Sequence, residues 1–377
     1  MSNKIPLSKP EIGVEELEAV RETLASGWYT HGPSNIELEK LFCEMIRCQY
    51  ALSVNSCTSA LELAIKANNI SGEVIVPSFT WVSTANAVVT SGATPVFCDV
   101  DWGSRCVTAK NIEAVITPDT QAVIVVHFGG GTADMDDIVA LCDARKIILI
   151  EDCAETIGGS YNQTPTGSFG IGCYSFFPTK NMTTGEGGML TCNNQEFYLY
   201  AKKLAAHGLV TSTFDREKYD MQPWDRMAEI AGHNYRMSNI LAAIGVVQFA
   251  KLEEMNARRR VLAHLYDERL LSLAGVELEC RSEKITHTHQ MYTVTVDPKI
   301  RNELVSYLRD ASIEASVHFS PSVHAHPAYR NYVSDPQKTL KTSCLLSDSI
   351  ISLPMYASLR KDEIERVVAK IAEYFAL

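Results

Sequence analysis

The sequence lacks the features that mark several classes of protein. It has no run of about 18 uncharged apolar residues, so we do not expect a transmembrane helix. Residues 1–12 have no apolar core of the kind found in signal peptides. Basic residues are in the minority, with 34 Lys and Arg against 45 Asp and Glu, whereas a duplex-binding protein needs a basic face for the phosphates. We therefore expect a soluble, cytoplasmic protein that binds small molecules, with neither nucleic acid nor membrane as a partner.

Cysteine and glycine motifs of known binding sites are also absent. The eleven cysteines include no CxxC pair and no zinc-type spacing, which favours reduced thiols and predicts no metal site. The glycine-rich residues 129–131 and 167–172 do not match GxGxxG after a first strand. We interpret both as turns rather than as a dinucleotide site.

The composition that remains is that of an ordinary globular protein. The chain has 377 residues, of which 46% are hydrophobic and 21% charged. This length allows two or three domains with cores large enough to be stable without disulfides or structural metals.

From residue 51 to residue 192, short β-rich runs alternate with amphipathic helical patterns. Such alternation is typical of a mainly parallel sheet that helices cover on both faces, so we expect a large α/β domain. The predicted strands are 74–76, 95–100, 122–127, 147–150 and 189–191, and the predicted helices are 59–66, 82–89 and 135–144.

Helical patterns precede and follow this region. Apolar residues at 14, 17, 20 and 24 predict a first helix, and a long helical pattern begins after residue 239. The rest of the chain predicts a smaller α+β domain, with strands at 292–296 and 315–319, a helix at 302–311 and a final helix from Lys361. We expect residues 1–250 to form the large domain with its N-terminal segment, and residues 251–377 the small one.

Three segments could together hold pyridoxal phosphate. An apolar strand ends in Asp152, at the carboxyl edge of the sheet where α/β folds bind ligands. Lys180 lies between a predicted strand and a glycine-rich turn, where an amine can form a Schiff base. Residues 55–59 precede a helix whose first N–H groups can hold a dianion. Taken singly, Asp152 is about as often a helix cap, whereas a lone lysine is more often a solvated amine and residues 55–59 more often a plain N-cap. Only their combination favours the cofactor.

The order and spacing of these segments resemble the DegT/StrS-type sugar aminotransferases, and the resemblance covers nearly the whole chain. It implies the pyridoxal-phosphate-dependent transferase fold type I, with a mostly parallel central sheet in the large domain and a smaller C-terminal α+β domain. The matching segments are residues 5–7, 26–33, 74–81, 92–97, 126–127, 151–152, 180–181, 185–188, 234–237, 318–319 and 352–354.

The resemblance implies a cofactor role for individual residues. Lys180 matches the lysine that holds pyridoxal 5′-phosphate and moves protons, and Asp152 matches the partner of the pyridinium nitrogen. Trp81 matches an aromatic ring stacked on the cofactor. The phosphate-binding positions are matched by Thr58, Ser59 and Ser175.

The resemblance also implies a shared site and substrate contacts. Asn234 matches a residue that reaches the phosphate bound in the other subunit, which implies a homodimer with shared active sites. His318 and the loop that contains Thr30 resemble segments that line the sugar site. Either Arg236 or the group at 258–260 is a candidate for the charged groups of the substrate.

Three positions depart from the family pattern. Glu155 stands beside the expected phenolic oxygen of the cofactor, where the family often has Gln or His. Phe177 stands where many members have His, and Cys57 where many have Gly. The dehydratase branch of the family replaces the cofactor lysine, commonly by His, and Lys180 argues against that branch.

The resemblance implies transfer of an amino group from L-glutamate, which leaves 2-oxoglutarate and pyridoxamine 5′-phosphate as the intermediate form of the cofactor. The acceptor would be a keto group, most often at C4, of a nucleotide-linked keto-deoxysugar. The product would serve surface polysaccharide or glycoconjugate synthesis, for example lipopolysaccharide O-antigen. A C3-keto sugar, a free keto sugar or a cyclitol ketone are alternative acceptors, and a non-catalytic regulator on the same fold is an alternative of another class.

Overall fold

A computed structural model of the chain describes residues 4–209 and 227–376. The helices of this part are α1 (Val14–Ser26), α2 (Pro33–Ile46), α3 (Cys57–Ala67), α4 (Ser83–Thr90), α5 (Ala109–Glu113), α6 (Met135–Arg145), α7 (Gln195–Ala205), α8 (Asn239–Leu270), α9 (Pro298–Asp310), α10 (Pro336–Thr339), α11 (Lys341–Ser349) and α12 (Lys361–Ala376). The strands are β1 (Tyr50–Val54), β2 (Glu73–Pro77), β3 (Thr94–Cys98), β4 (Thr120–Val126), β5 (Ile148–Asp152), β6 (Ser160–Tyr161), β7 (Thr164–Pro165), β8 (Ile171–Ser175), β9 (Gly188–Cys192), β10 (Glu277–Leu278), β11 (Ile285–Thr286), β12 (Tyr292–Thr295) and β13 (Ile350–Leu353).

A seven-stranded sheet forms the centre of the molecule, in the order β1-β9-β8-β5-β4-β2-β3. The pairs β2–β3, β2–β4, β4–β5 and β5–β8 are parallel, and β9 runs antiparallel to both of its neighbours, β1 and β8. Alternate residues of β2 pack on opposite faces: Val74 and Val76 lie in the core under α3 and α4, and Ile75 lies in the core under α6. The predicted mostly parallel sheet with helices on both faces is therefore confirmed.

The predicted elements of the large domain all form, within two residues of the predicted ends. The elements that were not predicted include α2, β1, α5, β6, β7 and α7. The start of α2 nevertheless carries a recognisable signal, because Pro33 occupies its first turn directly after the N-cap Gly32.

The C-terminal part builds a separate antiparallel sheet, β10-β12-β13, whose core includes residues of α8, α9 and α12. The predicted strand at 315–319 was wrong. Only Ser316 pairs, in an isolated bridge with Ser352, and the chain turns at His318 and Phe319. Helix α8 has 32 residues and runs through residue 250, so it joins the two parts. The division into residues 1–250 and 251–377 remains our proposal.

Helix α1 forms as predicted, but the apolar residues that predicted it face outward. Val14 and Leu17 are 77% and 68% exposed, and Leu24 is 49% exposed. The opposite side packs on α8, where the buried Glu16 accepts a hydrogen bond from Lys251 Nζ at 2.8 Å. In a single chain these three apolar side chains are therefore uncovered.

Among the helices in residues 4–209 and 227–376, none is both long enough and apolar enough to cross a membrane.

Candidate active site

The candidate site is a cavity of about 400 Å³ at the carboxyl edge of the parallel strands. The segments that follow β1, β2, β5 and β8 all reach this edge, which is where open α/β sheets bind ligands. Of the site residues predicted from the sequence, those that line the cavity are Thr58, Trp81, Asp152, Glu155, Ser175, Lys180 and His318.

Asp152 is the last residue of β5, and its side chain is held by short hydrogen bonds. Its Oδ2 accepts from Thr84 Oγ1 at 2.9 Å, and its Oδ1 accepts from the N–H of Ala154 at 3.2 Å. Burial raises the pKa of Asp152, against the opposing effect of these two donors and of Lys180. The carboxylate thus keeps one orientation in a buried setting.

Lys180 lies in a tight turn after β8. Its N–H donates to the carbonyl of Phe177 at 2.9 Å. The next residue, Asn181, is buried and donates through Nδ2 to Asn256 Oδ1 at 2.6 Å and to the carbonyl of Thr288 at 2.9 Å. These bonds fasten the turn to α8 and to the segment before β12, so the backbone that carries Lys180 is fixed from three directions.

Glu155 faces Lys180 across the cavity floor. Lys180 Nζ lies 3.3 Å from Glu155 Oε1, with the two side chains 15% and 8% exposed. The other oxygen, Oε2, accepts from the N–H of Gly129 at 2.8 Å. The carboxylate that departs from the family pattern therefore has both a backbone donor and a cation as partners.

An anion cradle lies at the start of α3. Ser56 is the N-cap and accepts from the N–H of Ser59 at 3.1 Å, and Thr58 in the first turn lines the cavity. Ser59 does not line it, and its hydroxyl donates to Asn55 Oδ1 at 2.7 Å. The start of β9 passes so close that a Cβ on Gly188 would lie 2.6 Å from the Ser56 carbonyl carbon, so this position requires glycine.

Aromatic side chains and one imidazole form the upper wall. Trp81 lies between β2 and α4, is 59% exposed, and its ring is 5.9 Å from that of Phe319. Phe177 is 45% exposed at the same cavity. His318 Nδ1 lies 2.9 Å from Ser352 Oγ, and burial lowers the pKa of His318, so its imidazole is neutral near pH 7.

Besides Ser59, three predicted site residues lie outside the cavity of the single chain. Asn234 is exposed, and its carbonyl accepts from Asn55 Nδ2 at 3.4 Å, which places it beside the start of the anion cradle. Arg236 Nη2 lies 3.2 Å from His207 Nε2. Thr30 is exposed in the loop before α2.

The structure adds site residues that the sequence did not single out. Thr84 and Gly129 hold the two carboxylates, and Gln290 lines the cavity while donating to the carbonyl of Thr179 at 2.9 Å. Thr80 and Thr84 are four residues apart just after β2, but this spacing alone does not show which side chain they meet.

One group of possible metal ligands lies in the described part of the chain, formed by His127, Glu151 and Cys153. His127 Nδ1 accepts from the N–H of Ala133 at 3.3 Å, so Nε2 carries the proton and donates to Glu151 Oε2 at 3.1 Å. Within this group His127 and Glu151 are therefore joined by a buried hydrogen bond, and both ring nitrogens of His127 are engaged.

Comparison with known proteins places these residues in a family. The model of the DegT/DnrJ/EryC1/StrS aminotransferase family matches residues 10–372. Among solved structures, the chain is similar to the aminotransferase TlmJ from Streptoalloteichus hindustanus, with 30% identity over 99% of both chains and a TM-score of 0.91. It is equally similar to DesV from S. venezuelae, with 29% identity, 99% of both chains covered and a TM-score of 0.91.

A third similar structure is Spr1654 from Streptococcus pneumoniae, assigned as a sugar aminotransferase. Its PLP form shares 26% identity with this chain over 99% of this chain and 100% of that one, with a TM-score of 0.91, and a PMP form is also known. Together these likenesses confirm the expected fold type I aminotransferase architecture.

Proposed function

Because this chain belongs to the DegT/DnrJ/EryC1/StrS aminotransferase family, we propose that it transfers the amino group of L-glutamate to the C4 keto group of a nucleotide-linked keto-deoxysugar. The product would be an aminosugar for surface polysaccharide or glycoconjugate assembly. The observation that carries the proposal is the meeting of Lys180 Nζ and the buried Asp152 carboxylate in one cavity. A regulator on the same fold would have no need for this pair.

The cofactor is pyridoxal 5′-phosphate, and the cavity residues fit it. A buried carboxylate, an amine, an exposed indole face and a helix N-terminus line one cavity. When bound, the cofactor supplies an aldehyde carbon that takes up an amine and a protonated ring that withdraws electrons from it. Lys180 would supply the amine for the aldehyde carbon, and Asp152 would be the partner of the protonated ring.

Each cavity residue then has a proposed task. Asp152 accepts the hydrogen bond of the ring nitrogen and keeps it protonated. Thr58 and Ser175 bind the phosphate at the positive end of α3, and Trp81 covers the ring. Lys180 Nζ, once released from the cofactor, moves a proton between the donor carbon and the cofactor carbon. Ser59 serves the cradle indirectly, because its N–H and its hydroxyl are engaged by Ser56 and Asn55 and so hold the start of α3 in place.

The walls of the cavity support a partly apolar acceptor. The cavity is lined by four apolar side chains, those of Phe177, Met291, Phe319 and Leu353. The neutral His318 offers one polar contact. Such a surface suits a deoxysugar, which lacks a hydroxyl that would otherwise need a partner. We keep His318, Thr30 and Arg236 as the proposed substrate contacts.

The active enzyme is proposed to be a cytoplasmic homodimer with shared sites. Asn234 is exposed beside its own cradle and does not line its own cavity. The exposed Val14, Leu17 and Leu24 of α1 would also be covered in an assembly. The eleven cysteines form no disulfide in the described chain, as suits a reducing compartment.

The first test is an absorbance spectrum of the purified protein before and after L-glutamate is added, followed by borohydride reduction and mass spectrometry. We expect a visible cofactor band that glutamate removes, and a reduced adduct on Lys180. Lys180→Ala should lose the adduct and at least about 100-fold in rate, the usual contribution of a positioned acid–base group. Lys110→Ala, on the exposed surface of α5, is the matched control and should behave as wild type.

The acceptor is tested with ¹⁵N-glutamate and a panel of keto substrates. Label at C4 of a nucleotide-linked sugar supports the proposal. Label found only on a C3-keto sugar, a free keto sugar or a cyclitol would overturn the acceptor, and absence of any adduct on Lys180 would overturn the enzyme itself.

A further inference from the structure

We propose that Thr84 is a positioning residue of the active site, which together with Thr80 orients the Asp152 carboxylate toward the ring nitrogen of the cofactor. This inference rests on the proposed function. It assigns a role to two threonines that themselves make no covalent or acid–base contribution.

The three side chains form one buried chain of hydrogen bonds. Thr84 Oγ1 lies 2.9 Å from Asp152 Oδ2, and Thr80 Oγ1 lies 3.1 Å from Thr84 Oγ1. Thr84 is fully buried, and Thr80 and Asp152 are 3% and 5% exposed. Water therefore has little access to replace any of these bonds.

The direction of these hydrogen bonds follows from the carboxylate of Asp152, at which they end. An ionised carboxylate can only accept, so the single hydroxyl proton of Thr84 is donated to Asp152. In the contact between the two threonines, Thr80 must then be the donor. While Asp152 is ionised, the protons therefore point from Thr80 to Thr84 to Asp152.

The Asp152 carboxylate has one hydrogen-bond acceptor position left for a ligand. A carboxylate offers about four lone-pair positions. Three are engaged, by Thr84, by the N–H of Ala154, and by the Cys57 thiol, whose Sγ lies 3.8 Å from Oδ1. Since Asp152 lines the cavity, the remaining position serves a single donor there, as the protonated ring nitrogen requires.

Within the described residues, the hydroxyl of Thr84 has no hydrogen bond other than those to Asp152 and Thr80. Thr84 is the second residue of α4, whose N-terminus has no side-chain cap, and the N–H of Thr84 is satisfied by the carbonyl of Trp81 at 3.2 Å. Substitution of the hydroxyl by a methyl group therefore removes the contact with Asp152 and leaves the helix start unchanged.

The decisive comparison is between Thr84→Val, which keeps the shape and loses the donor, and Thr84→Ser, which keeps the donor. In Thr84→Val we expect the rate of glutamate-driven loss of the visible band to fall about 10- to 100-fold, the range for a hydrogen bond to a charged group. We also expect weaker binding of pyridoxal phosphate, measured by titration without any amino donor. Thr84→Ser should restore both quantities to near the wild-type values.

The matched control is Thr132→Val, because Thr132 Oγ1 is buried without a hydrogen-bond partner in the described residues and does not line the cavity. It should leave rate and cofactor affinity unchanged. If Thr84→Val matches the wild type, or if Thr84→Ser is no better than Thr84→Val, the positioning role is overturned.

Folding and the proposed function are checked separately. If Thr84→Val does not fold, by circular dichroism of the cofactor-free protein, the pair Thr80→Val and Thr80→Ser decides: a loss in the first that the second restores supports the chain of bonds, and no loss overturns it. A wild-type protein that binds no pyridoxal phosphate, or does not respond to glutamate, contradicts the proposed function instead.

Discussion

Lys180 and Glu155 form an ion pair across the cavity floor, with Nζ 3.3 Å from Oε1. The second oxygen of the same carboxylate is bound to the N–H of Gly129 at 2.8 Å. A carboxylate at the position where the family often has Gln or His is therefore accommodated by the chain itself: a backbone donor orients it and the lysine offsets its charge.

Glu155→Ala should destabilise the cofactor-free protein more than Glu155→Gln does. The glutamine carbonyl can still accept from Gly129, whereas alanine leaves a buried N–H unpaired, at a cost of about 1–3 kcal/mol. Urea unfolding of both variants measures the difference. Equal free energies of unfolding would show that the Gly129 bond contributes nothing.

Asp152→Asn should stabilise the cofactor-free protein near neutral pH and abolish most activity. Burial raises the pKa of Asp152 above its value in the unfolded chain, so the ionised form destabilises the fold. This cost is absent below the unfolded pKa of about 3.9 and reaches its full size once the pH exceeds the folded pKa. The stability gain of Asp152→Asn should therefore appear on going from acid to neutral pH, and a gain that is constant with pH would contradict it.

Glu279→Gln should be strongly destabilising although it lies outside the cavity. Burial raises the pKa of Glu279, but the nearby His287, Arg105 and Arg281 outweigh this effect and hold the pKa at about 2. Removing one partner from a buried ion pair costs about 3–5 kcal/mol, because the charges left behind are uncompensated. The folded pKa is lowered, so the contribution of ionised Glu279 to the free energy of unfolding is complete above the unfolded pKa of about 4.3. It is lost as the pH falls through about 2.

The control for that variant is a surface pair. Glu254 and Arg258 are 70% and 56% exposed and lie four residues apart on α8, so Glu254→Gln should change the free energy of unfolding by less than about 1 kcal/mol. Thermal or urea unfolding that gives similar losses for both variants would contradict the buried role of Glu279.

Hybrid dimers should regain activity if the sites are shared. A chain carrying Lys180→Ala still provides Asn234, and a chain carrying Asn234→Ala still provides Lys180, so one site of the hybrid is intact. We expect each parent homodimer to be impaired and the co-expressed, tag-purified hybrid to recover toward half of the wild-type rate. A hybrid no more active than its parents would show that Asn234 does not serve the partner's site.

Much of the fold was predictable because its signals are local. Apolar runs end in Pro77 and Asp152, and helical patterns lie between them, which is the pattern of a parallel sheet buried on both faces. The strand expected at 315–319 failed for the opposite reason. Its residues suit a strand, but only Ser316 finds a partner before the chain turns into the cavity wall.

The reactive residues of the site were predictable from the sequence, but the residues that contact them were not. Lys180 and Asp152 could be chosen because an amine and an acid at strand ends, beside a helix start, are what the cofactor needs. Thr84 could not be chosen, because its proposed role depends on a hydrogen bond to Asp152, which lies 68 residues further along the chain.

The sequence by itself determined the alternation of helices and strands, the reactive residues and the family, because each of these depends on residue types and their short-range spacing. The tertiary structure alone decided which side of α1 is buried, that β9 runs antiparallel, and that Gly129 and Thr84 hold the two carboxylates. Those outcomes depend on hydrogen bonds and ion pairs between remote residues, such as Glu16 with Lys251, whose energy exists only once the chain has brought them within about 3 Å of each other.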